Sequence, residues 1–284
     1  MDLLPRALAG FVLSGLVAVP GWRKGSLSRS GLAGAFLTGT AIYALGGPVW
    51  WGLLIVFFVA GSALSHYRTA DKAEVARDFE KGGTRDLGQV LANGGMGALL
   101  AAAYGLTGLP MLFAAFLGAM ATVTADTWAT ELGVLSRSQP RLITTGRPVP
   151  RGTSGGVSLT GTLASAAGGL LIGAAALLLI AAARLLGAPV AVAGLPWPRL
   201  VPSVLLAATL GGLAGSLFDS LLGATVQAIY YSESRHKETE RAVDPDGTPN
   251  RSVRGLRWMN NDWVNFLASA AGALAAAAVW HLLR

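Results

Sequence analysis

Long apolar runs alternate with short charged connections along most of the chain. A helix needs about 17 to 25 mainly apolar residues to cross a bilayer, and the pattern predicts about eight such helices. The second run is short, and its boundaries are the least distinct. The predicted spans are about 3–19, 31–46, 48–65, 87–104 and 109–131, one within 157–186, one within 201–231, and 262–283. We therefore predict an all-α fold, a polytopic integral membrane protein whose single transmembrane domain covers residues 1–284.

The composition supports a membrane protein. Of the 284 residues, 52% are hydrophobic and 13% are charged, whereas soluble domains carry about 25% charged residues. The 38 glycines suit a helical bundle in lipid, where small residues let helix backbones approach closely. Because the chain has no cysteine, it has neither a disulfide framework nor a thiolate metal site.

Basic residues are distributed unevenly between alternate connections. If each predicted helix reverses the chain direction, 18 of the 22 Lys and Arg residues fall on one side. They lie in the connections 20–30, 66–86, 133–156 and 232–258. Positively charged connections stay in the cytoplasm, so we expect this side to be cytoplasmic and both termini to be extracytoplasmic. The net charge of +7 then indicates membrane orientation, and we expect no nucleic-acid partner.

The first run is expected to remain in the protein as a span. Its N-terminal region combines Asp2 with a single base, Arg6, whereas a signal peptide begins with a positively charged region. No plastid transit peptide is evident either. We therefore expect a multi-pass protein of the cell membrane.

Two carboxylates, Asp126 and Glu131, lie where the fifth predicted helix leaves the hydrocarbon. A charged side chain in a membrane helix costs about 2.5 to 3.5 kcal/mol on insertion scales, so it usually faces the bundle interior and has a function. Glu131 is turned aside from Asp126 by roughly 140° around the helix, but both can reach one ion at the helix end. The alternative is a structural ion pair with an arginine of a connection.

A third acid, Asp219, lies inside the seventh predicted span and has no basic neighbour in its own helix. Its expected partner is an ion or a proton. Asp126, Glu131 and Asp219 together form a set of hard oxygen ligands, which favours Mg²⁺ over Zn²⁺. The three histidines are scattered along the chain. We therefore predict a Mg²⁺ site formed by these three carboxylates.

A polar segment rich in Gly, Pro and Arg, residues 144–158, precedes the sixth predicted span. Gly155 and Gly156 let the backbone turn so that N–H groups point at an anion. Ser154 or Ser158 can cap the following helix, whose N-terminus favours phosphate. The alternative is a flexible basic loop that contacts anionic lipid. The expected phosphate-binding residues of this segment are Arg147, Arg151, Gly152, Thr153, Ser154, Gly155, Gly156 and Ser158.

A second basic cluster precedes the fourth predicted span on the same side. Lys81 and Arg85 can contact a phosphate, and Asp86 can cap the helix that follows. The alternative is an ordinary loop with a helix cap. Charges alternate over 71–81, which predicts a short cytoplasmic helix ended by the glycines at 82 and 83.

The last span opens with a run of Asn and Asp residues, 260–265. Asn261 or Asp262 can serve as the N-cap of this helix. Capping alone does not require so many amides and acids, so Asn261, Asp262 and Asn265 are also candidates for the site. Both readings of this run remain open from the sequence.

A Gly-rich basic loop beside a Mg²⁺ site is typical of phosphoryl or nucleotidyl transfer, in which the protein mainly positions groups and neutralises charge. A site on the cytoplasmic side would meet nucleotides there, and a lipid acceptor would enter between helices. A lipid nucleotidyltransferase is one alternative. A transporter or flippase for a small or lipid phosphate is another, because buried acids and Gly-broken segments also occur in ion-coupled transporters.

Four motifs resemble those of an integral membrane family that includes plant phytyl-phosphate kinase and animal transmembrane protein nineteen. They are Ala-Asp-Thr-Trp-Ala-Thr-Glu-Leu-Gly (125–133), Arg-Gly-Thr-Ser-Gly-Gly-Val-Ser (151–158), Phe-Asp-Ser-Leu-Leu-Gly-Ala (218–224) and Asn-Asn-Asp-Trp-Val-Asn (260–265). Their order and spacing are similar to the family over most of the chain.

The resemblance implies a kinase that converts an isoprenyl monophosphate, such as phytyl, farnesyl or geranylgeranyl phosphate, to the diphosphate. The implied donor is a nucleoside triphosphate, CTP or ATP. The metal role of the acids is our inference from their charge and depth. The site residues that the motifs imply are Asp126, Glu131, Arg151, Gly152, Ser154, Gly155, Gly156, Asp219, Asn261 and Asp262.

Overall fold

A computed structural model describes residues 3–76, 79–136, 138–192 and 194–283. Within this described part, the chain forms nine helices and five short strands. The helices are α1 (Leu3–Arg23), α2 (Arg29–Gly46), α3 (Pro48–His66), α4 (Thr69–Ala76), α5 (Leu87–Thr107), α6 (Met111–Gly133), α7 (Leu159–Leu185), α8 (Trp197–Thr225) and α9 (Asn261–Leu283). The prediction of a polytopic helical membrane protein is confirmed.

Seven helices in the described part are long and apolar enough to cross a membrane: α1, α3, α5, α6, α7, α8 and α9. The second predicted span forms as α2 and packs against α1, α3 and α5. It is not among the seven because its 18 residues begin with Arg29 and include four glycines and two threonines, which lower its mean hydropathy. The bundle therefore consists of seven apolar spans and the more polar helix α2.

Helix α6 is the centre of the bundle. It packs against α3, α5, α7, α8 and α9, and every residue from Phe113 to Ala125 is buried. A helix that is apolar on all sides belongs in an interior. Trp50 of α3 packs on Phe113 and Phe116, with ring centroids 5.6 and 4.5 Å away. Asp126 follows directly after this buried stretch.

Glycines let α6, α8 and α9 pack backbone to backbone. A Cβ atom on Gly211 would come within 3.0 Å of the Gly272 carbonyl oxygen, and one on Gly118 would lie closer still. The Thr122 hydroxyl donates to the Gly118 oxygen at 2.9 Å and to the Gly211 oxygen at 3.3 Å. Such close approach is the usual role of small residues in membrane helices. The contact fixes α6 against α8 near Asp126 and Asp219.

The connections 24–28, 67–86, 134–158 and 226–260 meet at one end of the bundle, where residues from all four line one cavity. We call this the basic end. Its folded connections contain β1 (Arg141–Leu142), β2 (Gly156–Val157), β3 (Ile229–Ser232), β4 (Lys237–Thr239) and β5 (Arg251–Arg254). Strands β1 and β2 pair, and β3 lies between β4 and β5, all antiparallel. The sequence reading did not predict these strands, because their pairing depends on residues outside each short run.

Asp244 holds the connection between α8 and α9 in shape. Its carboxylate accepts hydrogen bonds from Ser232 at 2.5 Å, Ser234 at 3.0 Å and Arg235 at 2.7 Å. These donors, first of all Ser232, hold the pKa of Asp244 at about 2, because hydrogen bonds to a carboxylate favour its charged form. The hairpin of β3 and β4 is therefore a defined structure at neutral pH.

The short helix α4 differs from its prediction. It covers Thr69–Ala76 and not 71–81. Residues 77 and 78 lie outside the described residues, and the chain bends from Phe79 to Lys81, so the glycines at 82 and 83 do not end a helix. The residues after this gap make tertiary contacts instead: the Glu80 N–H donates to Glu240 at 3.2 Å, and Lys81 forms an ion pair with Asp262.

The orientation of the basic end can be tested by cysteine labelling, because the natural chain contains no cysteine. Thr144 is exposed at the basic end and Pro189 is exposed between α7 and α8, at the opposite end. From the positive-inside rule, we expect a membrane-impermeant maleimide to label Pro189→Cys in intact cells and Thr144→Cys only after permeabilisation. The reverse pattern would place the cavity outside the cytoplasm.

Candidate active site

A cavity of about 550 Å³ opens at the basic end. This volume is within the range of ligand-binding pockets, about 300 to 1,000 Å³. Residues near the N-termini of three helices line it, including Gln89 of α5, Gly161 of α7 and Asn261 of α9. The N-terminus of a helix carries a partial positive charge and unpaired N–H groups, which favour anions. We call this space the site cavity.

The structure brings most of the predicted site residues to the wall of the site cavity. Arg147 and Asp262 are the two that do not line it. The predicted residues that do line it are Lys81, Arg85, Asp126, Glu131, Arg151, Gly152, Thr153, Ser154, Gly155, Gly156, Ser158, Asp219, Asn261 and Asn265.

Asp126 of α6 and Asp219 of α8 both line the site cavity. Their carboxylates interact electrostatically with each other and with Glu240. The Oδ2 atom of Asp219 is buried and has no hydrogen-bond partner within the described residues. Burying a charge without a partner is costly, so this pair of acids calls for a cation or a proton as a partner.

Glu131 has a different environment. Its Oε1 accepts a hydrogen bond from the Ser65 hydroxyl at 2.6 Å, and its Oε2 accepts one from the Lys72 ammonium at 2.5 Å. The Lys72 side chain is only 8% exposed, so the pair is largely withdrawn from water. Both oxygens of Glu131 are thus engaged, and the residue fastens α4 to the ends of α3 and α6. The structural ion pair considered from the sequence is present, with lysine in place of arginine.

Glu131 has partners within the protein, whereas Asp219 has an oxygen without one, and this difference decides which residues fit Mg²⁺. Among the described residues, no three His, Cys, Asp or Glu side chains come together as a metal-binding group, so the predicted set of three carboxylates is not assembled. Mg²⁺ is usually held by one or two carboxylates together with waters and substrate phosphates. Asp126 and Asp219, with the unpartnered Oδ2, fit that pattern, whereas Glu131 does not.

The polar segment of residues 144–158, which we call the Gly/Arg segment, folds into a turn against the end of α8. Strands β1 and β2 close it, and Gly152 and Gly155 have φ values of +80° and +85°, which L-residues with a Cβ rarely adopt. A Cβ atom on Gly155 would come within 2.6 Å of the Ala224 backbone. The Gly156 N–H donates to the Thr153 oxygen at 2.9 Å and is engaged within the turn, so the assignment of Gly156 to phosphate binding stays a prediction.

Two other features of the segment concern anion binding. Ser158 is the N-cap of α7, and its hydroxyl accepts the Gly161 N–H at 3.1 Å, which confirms one of the two capping alternatives. Arg151 lines the site cavity and is exposed. Its guanidinium has no ion pair with any residue that the structure describes, so it is available to a phosphate.

Glu240 is a site residue that the sequence reading missed. Its Oε1 accepts hydrogen bonds from the Ser154 hydroxyl at 2.7 Å and the Gln227 amide at 2.9 Å, and its Oε2 accepts the Glu80 N–H at 3.2 Å. Glu240 thereby joins three connections around the site cavity. It follows β4 in a charged stretch, and no local signal separates it from the neighbouring acids, because the hairpin alone brings it inward.

Lys81 links two helix starts. Its ammonium forms ion pairs with Asp262 and, at 3.1 Å, with Asp86. Burial opposes the charge, but these two partners outweigh it and raise the pKa of Lys81. Asp86 caps α5 in a capping box with Gln89, as predicted. The predicted cap of α9 is wrong, since Asn260 accepts the Trp263 N–H at 3.2 Å.

Comparisons with known proteins identify a family model and several relatives. A model of the family "Integral membrane protein DUF92" matches residues 12–273. Protein PGR of Arabidopsis thaliana is 34% identical over 277 residues, which cover 93% of this chain and 92% of that protein. Protein VTE6, chloroplastic, of the same plant is 28% identical over 271 residues, covering 94% and 67% respectively. No solved structure matches the chain.

An archaeal protein extends the comparison. An uncharacterized membrane protein of Methanocaldococcus jannaschii is 28% identical over 224 residues, which cover 79% of this chain and 84% of that protein. The family match runs from within α1 to within α9 and so includes each connection of the basic end. The membership inferred from four motifs is confirmed: the chain belongs to the family of integral membrane protein DUF92.

Proposed function

We propose that this protein is a kinase that transfers a phosphoryl group from a nucleoside triphosphate to an isoprenyl monophosphate. The observation that carries the proposal is the composition of the site cavity. Asp126 and Asp219, which have no ion pair within the described residues, line the same cavity as Arg151. Acids for a metal and cations for phosphate are the parts that phosphoryl transfer requires. The resemblance of four motifs to a family with a phytyl-phosphate kinase supports the same reaction.

The chemistry assigns a role to each group. An oxygen of the lipid phosphate forms a bond to the γ-phosphorus of the nucleotide, while the bond from that phosphorus to the β–γ bridging oxygen breaks. The products are the isoprenyl diphosphate and a nucleoside diphosphate. Arg151 would neutralise charge on the transferred group, and Asp126 and Asp219 would hold Mg²⁺, which supplies charge stabilisation when bound.

The position of the site cavity suits reactants from two phases. It lies at the end of a membrane bundle, so a nucleotide can enter from water while a lipid phosphate stays at the boundary of the bilayer. The proposal places the basic end in the cytoplasm, where nucleotides are available.

The first test is a transfer assay with purified protein in detergent. Phytyl, farnesyl and geranylgeranyl monophosphate are each supplied with Mg²⁺ and with CTP or ATP, and both lipid and nucleotide products are resolved. We expect isoprenyl diphosphate and nucleoside diphosphate, and loss of both with Asp126→Asn. Release of pyrophosphate would instead identify a nucleotidyltransferase. Absence of any product from folded protein would contradict the kinase.

Substitutions of Glu131 and Asp219 are expected to have different effects on thermal stability. Glu131→Gln leaves the Lys72 ammonium buried without its charged partner, which costs about 3 kcal/mol, so the thermal transition in detergent should fall. Asp219→Asn replaces a buried carboxylate whose Oδ2 has no hydrogen-bond partner within the described residues, so it should abolish turnover without lowering that transition.

A double variant provides the control. Lys72→Met combined with Glu131→Gln removes both charges, and we expect it to recover part of the stability lost in Glu131→Gln alone. A Glu131→Gln protein that is fully stable but inactive would return Glu131 to the list of metal ligands.

Two arginines of the Gly/Arg segment form a matched pair. Arg151→Lys replaces a bidentate fork in the site cavity with a point charge, and we expect kcat/KM to fall about tenfold, the effect of about 1.4 kcal/mol. Arg147 does not line the cavity, so Arg147→Lys should leave kcat/KM unchanged. Equal effects of the two substitutions would show that general basic charge, and not the Arg151 fork, matters.

A further inference from the structure

A second, apolar cavity lies beside the site cavity. It occupies about 60 Å³ between α1, α2, α3 and α5, and we call it the apolar groove. Arg85 is the one charged residue in its described lining. The apolar side chains that line it include Val17, Ala35, Leu54, Ile55, Phe57 and Phe58.

The apolar groove and the site cavity share part of one wall. Arg85, Gln89 and Asn93 line both spaces. Gln89 and Asn93 are one turn apart on α5, and the side-chain amide of Asn93 donates to the backbone oxygen of Gln89 at 2.8 Å. The polar cavity therefore passes into an apolar space over a single turn of helix.

Arg85 occupies the boundary between the two spaces. Its guanidinium donates to the Ser62 hydroxyl at 2.9 Å and lies over the rings of Phe57 and Phe58, at 5.6 and 5.7 Å from their centroids. It also interacts electrostatically with Glu131. These contacts fix a positive charge where the polar wall ends and the aromatic wall begins.

We propose that the apolar groove binds the isoprenyl chain of the acceptor, in the part nearest its phosphate, while the phosphate lies in the site cavity. This inference rests on the proposed function and deepens it by locating the chain. A polar space and an apolar space joined at one cation match a single amphiphile with an anionic head. We assign the groove to the isoprenyl chain of the substrate. An acyl chain of bulk lipid is the alternative occupant.

The dimensions limit how much of the chain is held. On α5 the groove extends from Gln89 to Gly94, and a helix rises 1.5 Å per residue, which gives a depth of roughly 7.5 Å. The groove thus holds the start of the chain, and the remainder extends between helices toward lipid. The chain enters the groove from a lipid phase that is itself apolar, so the hydrophobic effect contributes little to its binding. The shape of the groove must therefore select the chain.

A pair of alanines on α2 tests the proposal. Ala35 lines the groove, while Ala33 is exposed on the outer face of the same helix. We expect Ala35→Phe to raise KM for geranylgeranyl phosphate at least tenfold and to leave KM for the nucleotide unchanged. Ala33→Phe should change neither constant. If Ala35→Phe does not fold, Ala35→Val provides a smaller obstruction, with an intermediate rise.

A binding experiment separates this inference from the proposed function. A geranylgeranyl phosphate with a diazirine on its first isoprene unit is photolysed in the protein without nucleotide, and the labelled peptides are mapped. We expect labels on the groove-lining faces of α1, α2, α3 or α5 that unlabelled geranylgeranyl phosphate displaces and a phospholipid of bulk composition does not.

The outcomes are distinct. Labelling of the groove without any turnover would retain the chain site and contradict the kinase. Turnover with equal effects of Ala33→Phe and Ala35→Phe, or with labels outside the groove, would retain the kinase and overturn the chain site. Displacement by phospholipid to the same extent would assign the groove to bulk lipid.

Discussion

The structure depends on a membrane helix whose long buried stretch is followed directly by a carboxylate. The residues of α6 from Phe113 to Ala125 are packed within the bundle, and glycines of α6, α8 and α9 bring the three backbones together around Thr122. This packing places Asp126 and Asp219 on the wall of one cavity at the basic end. Two acids in such a position are costly without a cation or a proton, so they are the candidates for binding a ligand.

The carboxylates of Glu131 and Asp219 have different roles because their hydrogen-bond partners differ. Glu131 is satisfied by Lys72 and Ser65, and it stabilises the packing of α4 on the helix ends. The Oδ2 atom of Asp219 has no partner within the described residues. A complete buried ion pair is often close to neutral for folding, whereas a buried charge that has lost its partner is strongly destabilising. Asp126 and Asp219, which have no ion pair within the described residues, are therefore the acids that we propose to hold the metal.

The connections at the basic end are as important as the helices. Glu240 is carried to the site by a hairpin that Asp244 stabilises, and the Gly/Arg segment folds over α8 through turns at Gly152 and Gly155. On the other side, Arg85 lies between the site cavity and the apolar groove. Hydrophilic and apolar spaces thus meet at one end of the bundle, which is where we propose that a nucleotide and a lipid phosphate react.

The sequence by itself determined the helices and the end of the bundle that holds the site. Apolar runs and helix caps such as Asp86 and Ser158 are local signals, because hydrogen bonds and burial within one segment set them. Only the tertiary structure decided which acid is free. Lys72 lies 59 residues from Glu131, and Glu240 reaches Ser154 over 86 residues. Such pairs depend on how helices and hairpins pack, and no periodicity along the chain encodes that distance.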